Sequence, residues 1–248
     1  MAGGKNRSAP VTPAAGGVTT PVWTGGNRIL AALPAQDLLS IQAKLAPVTL
    51  EAGQILYKQF GPIEAVYFPD TAVTSLLSQM DDESLIEVGT IGNEGLVGLP
   101  VFLGIDTSPT EVISQIPGTA RRMATPDFRA AVETLPALRK LTGRCTHAFM
   151  TQVSQTAACN RLHKIEQRCA RWLLLTHDRV GGADSFPLTH KFLSLMLGVR
   201  RAGVTEAMGV LAKAKLIKST PGRVTILDRS GLEAACCECY RIVRYSVG

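Results

Sequence analysis

Between residues 188 and 227 two short amphipathic helices and a hairpin follow one another almost without connecting residues, and this series constrains the fold more than any other part of the chain. Thr189 is placed to cap the first helix, Phe192, Leu193, Leu195, Met196 and Leu197 give it an apolar side, and Gly198 is placed to end it in the left-handed conformation. Val199 supplies an apolar residue for the turn. The second helix starts at Arg200-Arg201 and carries Val204, Ala207, Met208, Val210 and Leu211 on one side. Strand patterns at 216–218 and 224–227 then flank Thr220-Pro221-Gly222-Arg223, a turn with a basic tip. Helix, turn, helix and hairpin predict a winged helix-turn-helix, a unit that points the start of its second helix into the major groove of double-stranded DNA.

Arginine in that position can pair bidentately with guanine O6 and N7, so Arg201 is the leading candidate for base reading. Arg200, Thr205 and Glu206 lie near the same side, and Gly203 permits close approach. Lys191, Lys213, Lys215, Lys218 and Arg223 are placed to serve the phosphate backbone, with Thr189 and His190 beside them at the start of the first helix. Charge supports a polyanionic partner. Residues 1–135 hold 8 Lys and Arg against 13 Asp and Glu, a net of −5, whereas residues 136–248 hold 18 against 7, a net of +11.

Residues 1–26 are rich in Gly, Ala, Pro and Thr and read as a disordered tail. Helical spacing of Ile29, Leu30, Leu33, Leu38, Leu39, Ile41 and Leu45 predicts two short helices. Short strands are then expected at 55–57, 66–68, 73–80, 85–90, 112–116 and 119–123, broken by Gly53, Gly61-Pro62, Pro69-Asp70 and Asp81-Asp82. No helix separates successive strands, so the sheet should be antiparallel, closed as a barrel or folded as a sandwich. The fold class expected is therefore α+β. The pattern turns helical at Thr125, a candidate N-cap, and stays so to about Asp178, with Pro136 forcing a restart. On the long helix Leu138, Leu141, Cys145 and Ala148 form a heptad-like stripe with Phe149, Met150, Val153 and Ala157 beside it, and Leu138, Leu141, Cys145, Ala148, Phe149 and Gln152 are the candidates for a dimer contact. Residues 181–187, GGADSFP, read as a linker.

Cys145, Cys159 and Cys169 fall in helical patterns and read as small apolar packers, and Cys236, Cys237 and Cys239 in CCEC as helix packing rather than a metal site, since one short stretch supplies too few ligands. His147, His163, His177 and His190 are scattered, with no HExxH, nucleophile elbow or phosphate loop, so the chain is read as no enzyme; His163 and His177 are expected on helix surfaces. No apolar run reaches the length of a membrane span, and MAGGKNRSAP lacks the apolar core of a secretory signal. A cytoplasmic protein with no membrane partner is expected.

An antiparallel barrel, a long helix and then LTHKFLSLMLGVRRAGVTEAMGVLAKAKLI with GRVTILDRSGLEAACCECY resemble the Crp/Fnr family of bacterial transcription regulators over about residues 27–240. In the barrel the likeness rests on GNEGLVG at 92–98. The resemblance implies a jelly-roll-like, cyclic-nucleotide-binding-like barrel at 27–135, a dimerisation helix at 136–158 and a winged-helix DNA-binding domain at 159–248. It implies a homodimer on an inverted-repeat operator, with RNA polymerase as a further partner. Gly92, Glu94, Gly95, Leu96, Pro109 and Thr110 then become the candidate effector pocket. Relatives that bind cyclic nucleotide hold its phosphate with an Arg-Ser pair, which SPTEV replaces with Pro109-Thr110, so cyclic AMP is not expected. The cysteine cluster that holds an iron–sulfur centre in oxygen-sensing relatives is missing ahead of the barrel, so that cofactor is not expected either. The alternative reading is a cyclic-nucleotide or cyclic-dinucleotide sensor whose winged helix contacts protein.

Overall fold

A computed structural model describes residues 26–181 and 183–246, so all of the expected tail except Gly26 lies outside the described residues. The N-terminal elements are α1 (Arg28–Ala31), α2 (Ala35–Gln42), β1 (Ala46–Leu50), β2 (Ile55–Tyr57), β3 (Ala65–Pro69), β4 (Val73–Gln79), β5 (Leu85–Ile91), α3 (Leu99–Phe102), β6 (Glu111–Ile116) and β7 (Gly118–Ala124). Then follow α4 (Thr125–Thr134), α5 (Pro136–Leu162), α6 (Ile165–Arg179), β8 (Ser185–Pro187), α7 (His190–Leu197), α8 (Arg201–Lys213), β9 (Ile217–Thr220), β10 (Arg223–Ile226), α9 (Arg229–Ala235) and α10 (Cys239–Ser246).

The first seven strands pair antiparallel in two sheets, β1-β7-β3 and β2-β6-β4-β5. Their inner faces meet through Tyr57, Leu76, Ile91 and Val112 on one side and Val66, Phe68 and Met123 on the other, all nearly or wholly buried. Two facing antiparallel sheets around one core answer to the barrel or sandwich that the strand spacing predicts and to the jelly-roll-like barrel that the resemblance implies. Phe128 of α4 closes one end with an edge contact on Phe68, ring centroids 6.2 Å apart. The strand expectations hold with small shifts, but β1 was not expected: its alternation is masked by Pro47, which an edge strand tolerates.

Thr125 is the first helical residue of α4 rather than its cap; its hydroxyl donates to the Ile63 carbonyl and so ties the helix to the barrel. Pro136 does start α5, a helix of 27 residues, about 40 Å long. The helix does not continue to Asp178. His163 and Lys164 are extended, and α6 begins afresh at Ile165 with Gln167 bonding back to the Lys164 N–H. The expected domain boundary after residue 158 falls inside α5, one turn before this break.

The second core lies between α6, α7, α8, α9, α10 and the small sheet β8-β10-β9, and it is continuous with Val73, Leu77 and Ile116 of the barrel. Phe186, 2 % exposed, shows that residues 185–187 are no linker: they form β8 on the far edge of the wing, with burial of that ring contributing about 1.5–3 kcal/mol. Arg229 at the start of α9 donates to Asp178 of α6 at 2.6 Å and to the Tyr240 hydroxyl at 2.6 Å, and Tyr240 donates to Asp178 at 2.9 Å. The last two helices are thereby bound to α6.

Candidate nucleic-acid interface

Helix α7 forms where its caps place it. Thr189 accepts from the Phe192 N–H, and Gly198, at φ 60°, lets the Val199 N–H return to the Ser194 carbonyl. Arg168 of α6 donates to the Leu197 carbonyl at the end of the same helix. Trp172 and Phe192 pack edge to face, 6.3 Å between centroids. On α8, Val204, Ala207, Met208 and Leu211 are buried against this frame. Val210, expected among them, is 54 % exposed, because it lies a turn-quarter away from the 204–207–211 line.

The opposite side of α8 exposes Arg201, Ala202, Thr205, Glu206, Gly209 and Lys213, with Arg200 as the N-cap residue. The first-turn N–H groups at this end lie at the positive end of the helix dipole, with the Gly203 N–H already returned to the Arg200 carbonyl at 3.0 Å. A Cβ on Gly203 or Gly209 would meet nothing within 4 Å, so neither glycine is needed for packing inside the chain. His190 holds the parts together: its Nδ1 lies 3.0 Å from Thr205 Oγ1 and its Nε2 3.3 Å from Ser219 Oγ of β9. Thr205 donates to the Arg201 carbonyl at 3.0 Å, which leaves its oxygen to accept from His190 Nδ1–H. At the wing, Gly222 turns at φ 77°, and Arg223 is exposed with its guanidinium on Ser185. Lys191 and Lys218 are exposed on the same domain. The structure thus gathers Thr189, His190, Arg201, Thr205 and the wing about one surface, with His190 as the tie among them.

The residues expected to line an effector pocket are not brought together. Glu94 is 11 % exposed and its carboxylate is taken by Arg179, itself 5 % exposed, at 2.7 Å. Arg179 also donates to the Leu175 carbonyl at 3.0 Å and the Thr90 carbonyl at 3.3 Å. Gly92 is required for this approach, because a Cβ there would lie 2.8 Å from Arg179 Cγ. The Gly95 carbonyl accepts from Asn27, the cap of α1, and Leu96 is fully buried in the barrel. Pro109 is exposed, and the Thr110 hydroxyl pairs with Ser108, whose carbonyl accepts from Phe60 just after β2, at the opposite edge of the four-stranded sheet from β5 and GNEG. GNEG therefore serves as the socket in which the end of α6 docks, and its arginine is 85 positions away in sequence.

The candidate dimer residues are also spent within the subunit. Leu138 is wholly buried, Leu141, Cys145 and Phe149 pack on the barrel core, Ala148 is 8 % exposed, and Gln152 bonds Thr90 through both amide atoms. Gly143, His147, Met150, Ser154, Ala157 and Arg161 recur on the opposite side of α5. Burial pushes the Cys145 thiol up to about 11 and the Cys169 thiol up to about 12, which suits their reading as packing residues.

Cys159 is different. Its Sγ lies 3.5 Å from Cys237 Sγ, and Cys239 Sγ lies 3.7 Å from His163 Nδ1. The expectation that CCEC merely packs a helix considered too few residues: the turn between α9 and α10 faces the end of α5, which brings two more metal-type ligands. His177 is likewise no surface residue but is 5 % exposed beside Arg229.

Residues 167–235 match the family of Crp-like helix-turn-helix domains. Comparison with curated proteins gives no match. Among solved structures the chain is similar to FixK2 from Bradyrhizobium japonicum, with a TM-score of 0.67 at 14 % identity over 78 % of this chain and 98 % of that one. It is similar to a CRP-family transcriptional regulator from Thermus thermophilus, with a TM-score of 0.63 at 15 % identity over 76 % and 95 % of the two chains. It is also similar to the c-di-GMP-responsive global regulator CLP of Xanthomonas campestris, with a TM-score of 0.59 at 11 % identity over 78 % and 99 %.

Proposed function

We propose that this chain, which carries a Crp-like helix-turn-helix domain within the fold of Crp/Fnr-type regulators, is a non-catalytic transcription regulator that binds double-stranded DNA with α8 as its reading helix. The observation that carries the reading is the contrast between the two sides of α8. One is locked into a core shared with the barrel, and the other is an exposed stripe that begins with two arginines and contains two glycines with no internal role. The basic excess of the C-terminal half supplies the attraction to phosphate that does not depend on sequence.

The outer face of α5 supports a homodimer: Ser154 and Ala157 are exposed and small enough for a second helix to approach, and Met150 is 63 % exposed. Two copies of α8 would then read half-sites about one DNA turn apart. The barrel interior is filled by Tyr57, Phe68, Leu76, Val97, Val112 and Met123, which supports a role as a frame for the dimer more than as a container for cyclic AMP. Contact with RNA polymerase and a cytoplasmic location belong to the same reading; among the described residues no helix is long and apolar enough to cross a membrane.

Selection of bound DNA from a random pool tests this: an inverted repeat is expected, and recovery of an asymmetric site or no enrichment would overturn it. Arg201→Ala should weaken binding by about 1–3 kcal/mol and relax one base position in each half-site. Gly203→Ala separates DNA contact from folding. It should stabilise α8 by about 0.8–1.0 kcal/mol, since the added methyl meets nothing in the chain, and yet weaken operator binding. A variant that is more stable and binds equally well would remove Gly203 from the interface.

A further inference from the structure

Cys159, His163, Cys237 and Cys239 meet where the long helix ends and the C-terminal domain begins. Cys159 lies in the last turn of α5 and His163 is its C-cap residue, so the i, i+4 spacing puts both on one side. Cys237 lies in the turn after α9, and Cys239 opens α10. All four ligand atoms are within 4.8 Å of one another, and the three cysteines are buried. A tetrahedral ion with metal–sulfur bonds of about 2.3 Å and metal–nitrogen bonds of about 2.0 Å has edges of roughly 3.5–3.8 Å. The two separations given above, 3.5 Å between Sγ atoms and 3.7 Å from Sγ to Nδ1, are such edges.

Two neighbours fit the same chemistry. The other ring nitrogen of His163, Nε2, lies 3.3 Å from Glu238 Oε2, the outer carboxylate that orients a ligating imidazole and turns its second nitrogen to the metal. A dication held by three thiolates and one imidazole carries one net negative charge. Arg171, 7 % exposed, interacts electrostatically with both Cys159 and Cys239, and its Nε is buried with no hydrogen-bond partner among the described residues. A terminal nitrogen of the same guanidinium donates to Thr156 Oγ1 at 2.7 Å, and an anionic cluster would give its charge a counter-ion on the other side.

We propose that these four residues bind one zinc ion. Soft thiolates with an imidazole in tetrahedral array favour zinc over harder divalent ions, and four protein ligands leave no open position, which marks a structural site and not a catalytic one. A multi-iron cluster needs its ligands spread further apart than they are here. The ion would clamp the α9–α10 turn to the end of α5 at the place where His163 and Lys164 break the helix, and so fix the direction in which the DNA-binding domain leaves it. No glycine or proline lies at that break, where Gln167 caps the restart at Lys164, and an ion at His163 would hold it.

The test is a cobalt titration of the full chain, reduced and stripped with a chelator. One equivalent of Co²⁺ per chain is expected, with thiolate charge-transfer absorption in the near ultraviolet and the intense visible bands of a tetrahedral ion, both lost when zinc is added. Cys237→Ser and Cys239→Ser should each lose most of the charge-transfer band. Cys236→Ser should retain it, because that thiol bonds the Cys237 carbonyl and stands outside the cluster. Glu238→Gln should weaken metal binding by about 10- to 100-fold without altering the bands, and His163→Cys should restore a tetrahedral site with stronger charge transfer. These last three variants leave the buried cysteines in place and keep the test informative if the serine variants fold poorly. Absence of the bands in the wild-type chain, their survival in both serine variants, or stoichiometric iron and sulfide in anaerobically purified protein would overturn the proposal. The readout is spectroscopic, so a chain that binds metal but no DNA would refute the regulator reading and leave this one standing.

Discussion

Replacing Glu94 with alanine is expected to cost about 3–5 kcal/mol of folding stability, among the largest losses that a single substitution outside the hydrophobic core should cause in this chain. The reason is what remains. Arg179 keeps its bonds to the Leu175 and Thr90 carbonyls, but its charge is then buried at 5 % exposure with no carboxylate bonded to it. A buried pair need not add net stability, since both ions give up hydration; breaking it is costly because one desolvated charge is stranded. Hence Glu94→Leu with Arg179→Met should recover most of the loss, and the coupling energy from the two single and one double variant should be large and of the restoring sign. Chemical denaturation midpoints with unchanged slope measure it. A Glu94→Ala chain within about 1 kcal/mol of wild type would return Glu94 to the role of an exposed ligand contact, for which alanine would cost binding and spare stability.

That pair also shows where sequence reasoning reaches its limit. GNEGLVG was legible as a motif because glycines at that density must serve a close approach, but the group that approaches Gly92 and Glu94 comes from the end of α6, and no local pattern points to it. Helices α7 and α8 and the wing were legible because each is fixed by its own residues: Thr189 at one cap, Gly198 at the other, Gly222 in the turn. Strand β8 was hidden because three residues are too few for a period and GGAD precedes them. The stripe on α5 was read at the right spacing but assigned to a partner chain; periodicity tells that a face is buried and not by what. The metal-type cluster lies between these cases. Cys159 and His163 at helical spacing, and Cys237 and Cys239 in CCEC, are each visible as a pair, and only the packing of α10 on α5 joins them.

The second large effect is one of pH. Glu87 of β5 is buried between barrel and α6, with Trp172 Nε1 donating to it at 2.9 Å, and burial pushes its carboxyl up to about 7, against the pull of its hydrogen bonds and of Arg179 and Arg171. Geometry gives a separate reason to hold it protonated. Ser75 Oγ lies 2.7 Å from Glu87 Oε2 and 2.6 Å from Gln115 Oε1, and a hydroxyl has one proton for two acceptors. If Glu87 carries a proton it donates to Ser75, which then donates to Gln115, and the network closes. At pH below about 4.5 the group is protonated whether the chain is folded or not, so it contributes no slope. Between about 4.5 and about 7 the unfolded chain releases the proton while the folded chain keeps it, and stability must fall as pH rises, by roughly 3 kcal/mol in all, with nothing further above that window. Glu87→Gln keeps the shape and the donor to Ser75, removes the titration and should remove this slope, leaving the variant more stable than wild type at pH 8 and similar at pH 4.5. Since the Trp172 N–H donates more strongly to a carboxylate than to a carboxylic acid, the fluorescence of that indole should report the same transition before unfolding. A wild-type profile as flat as that of Glu87→Gln, or one in which stability rises through the window, would show that the carboxyl is ionised at neutral pH and that Arg171 and Arg179 together, rather than a proton, neutralise it.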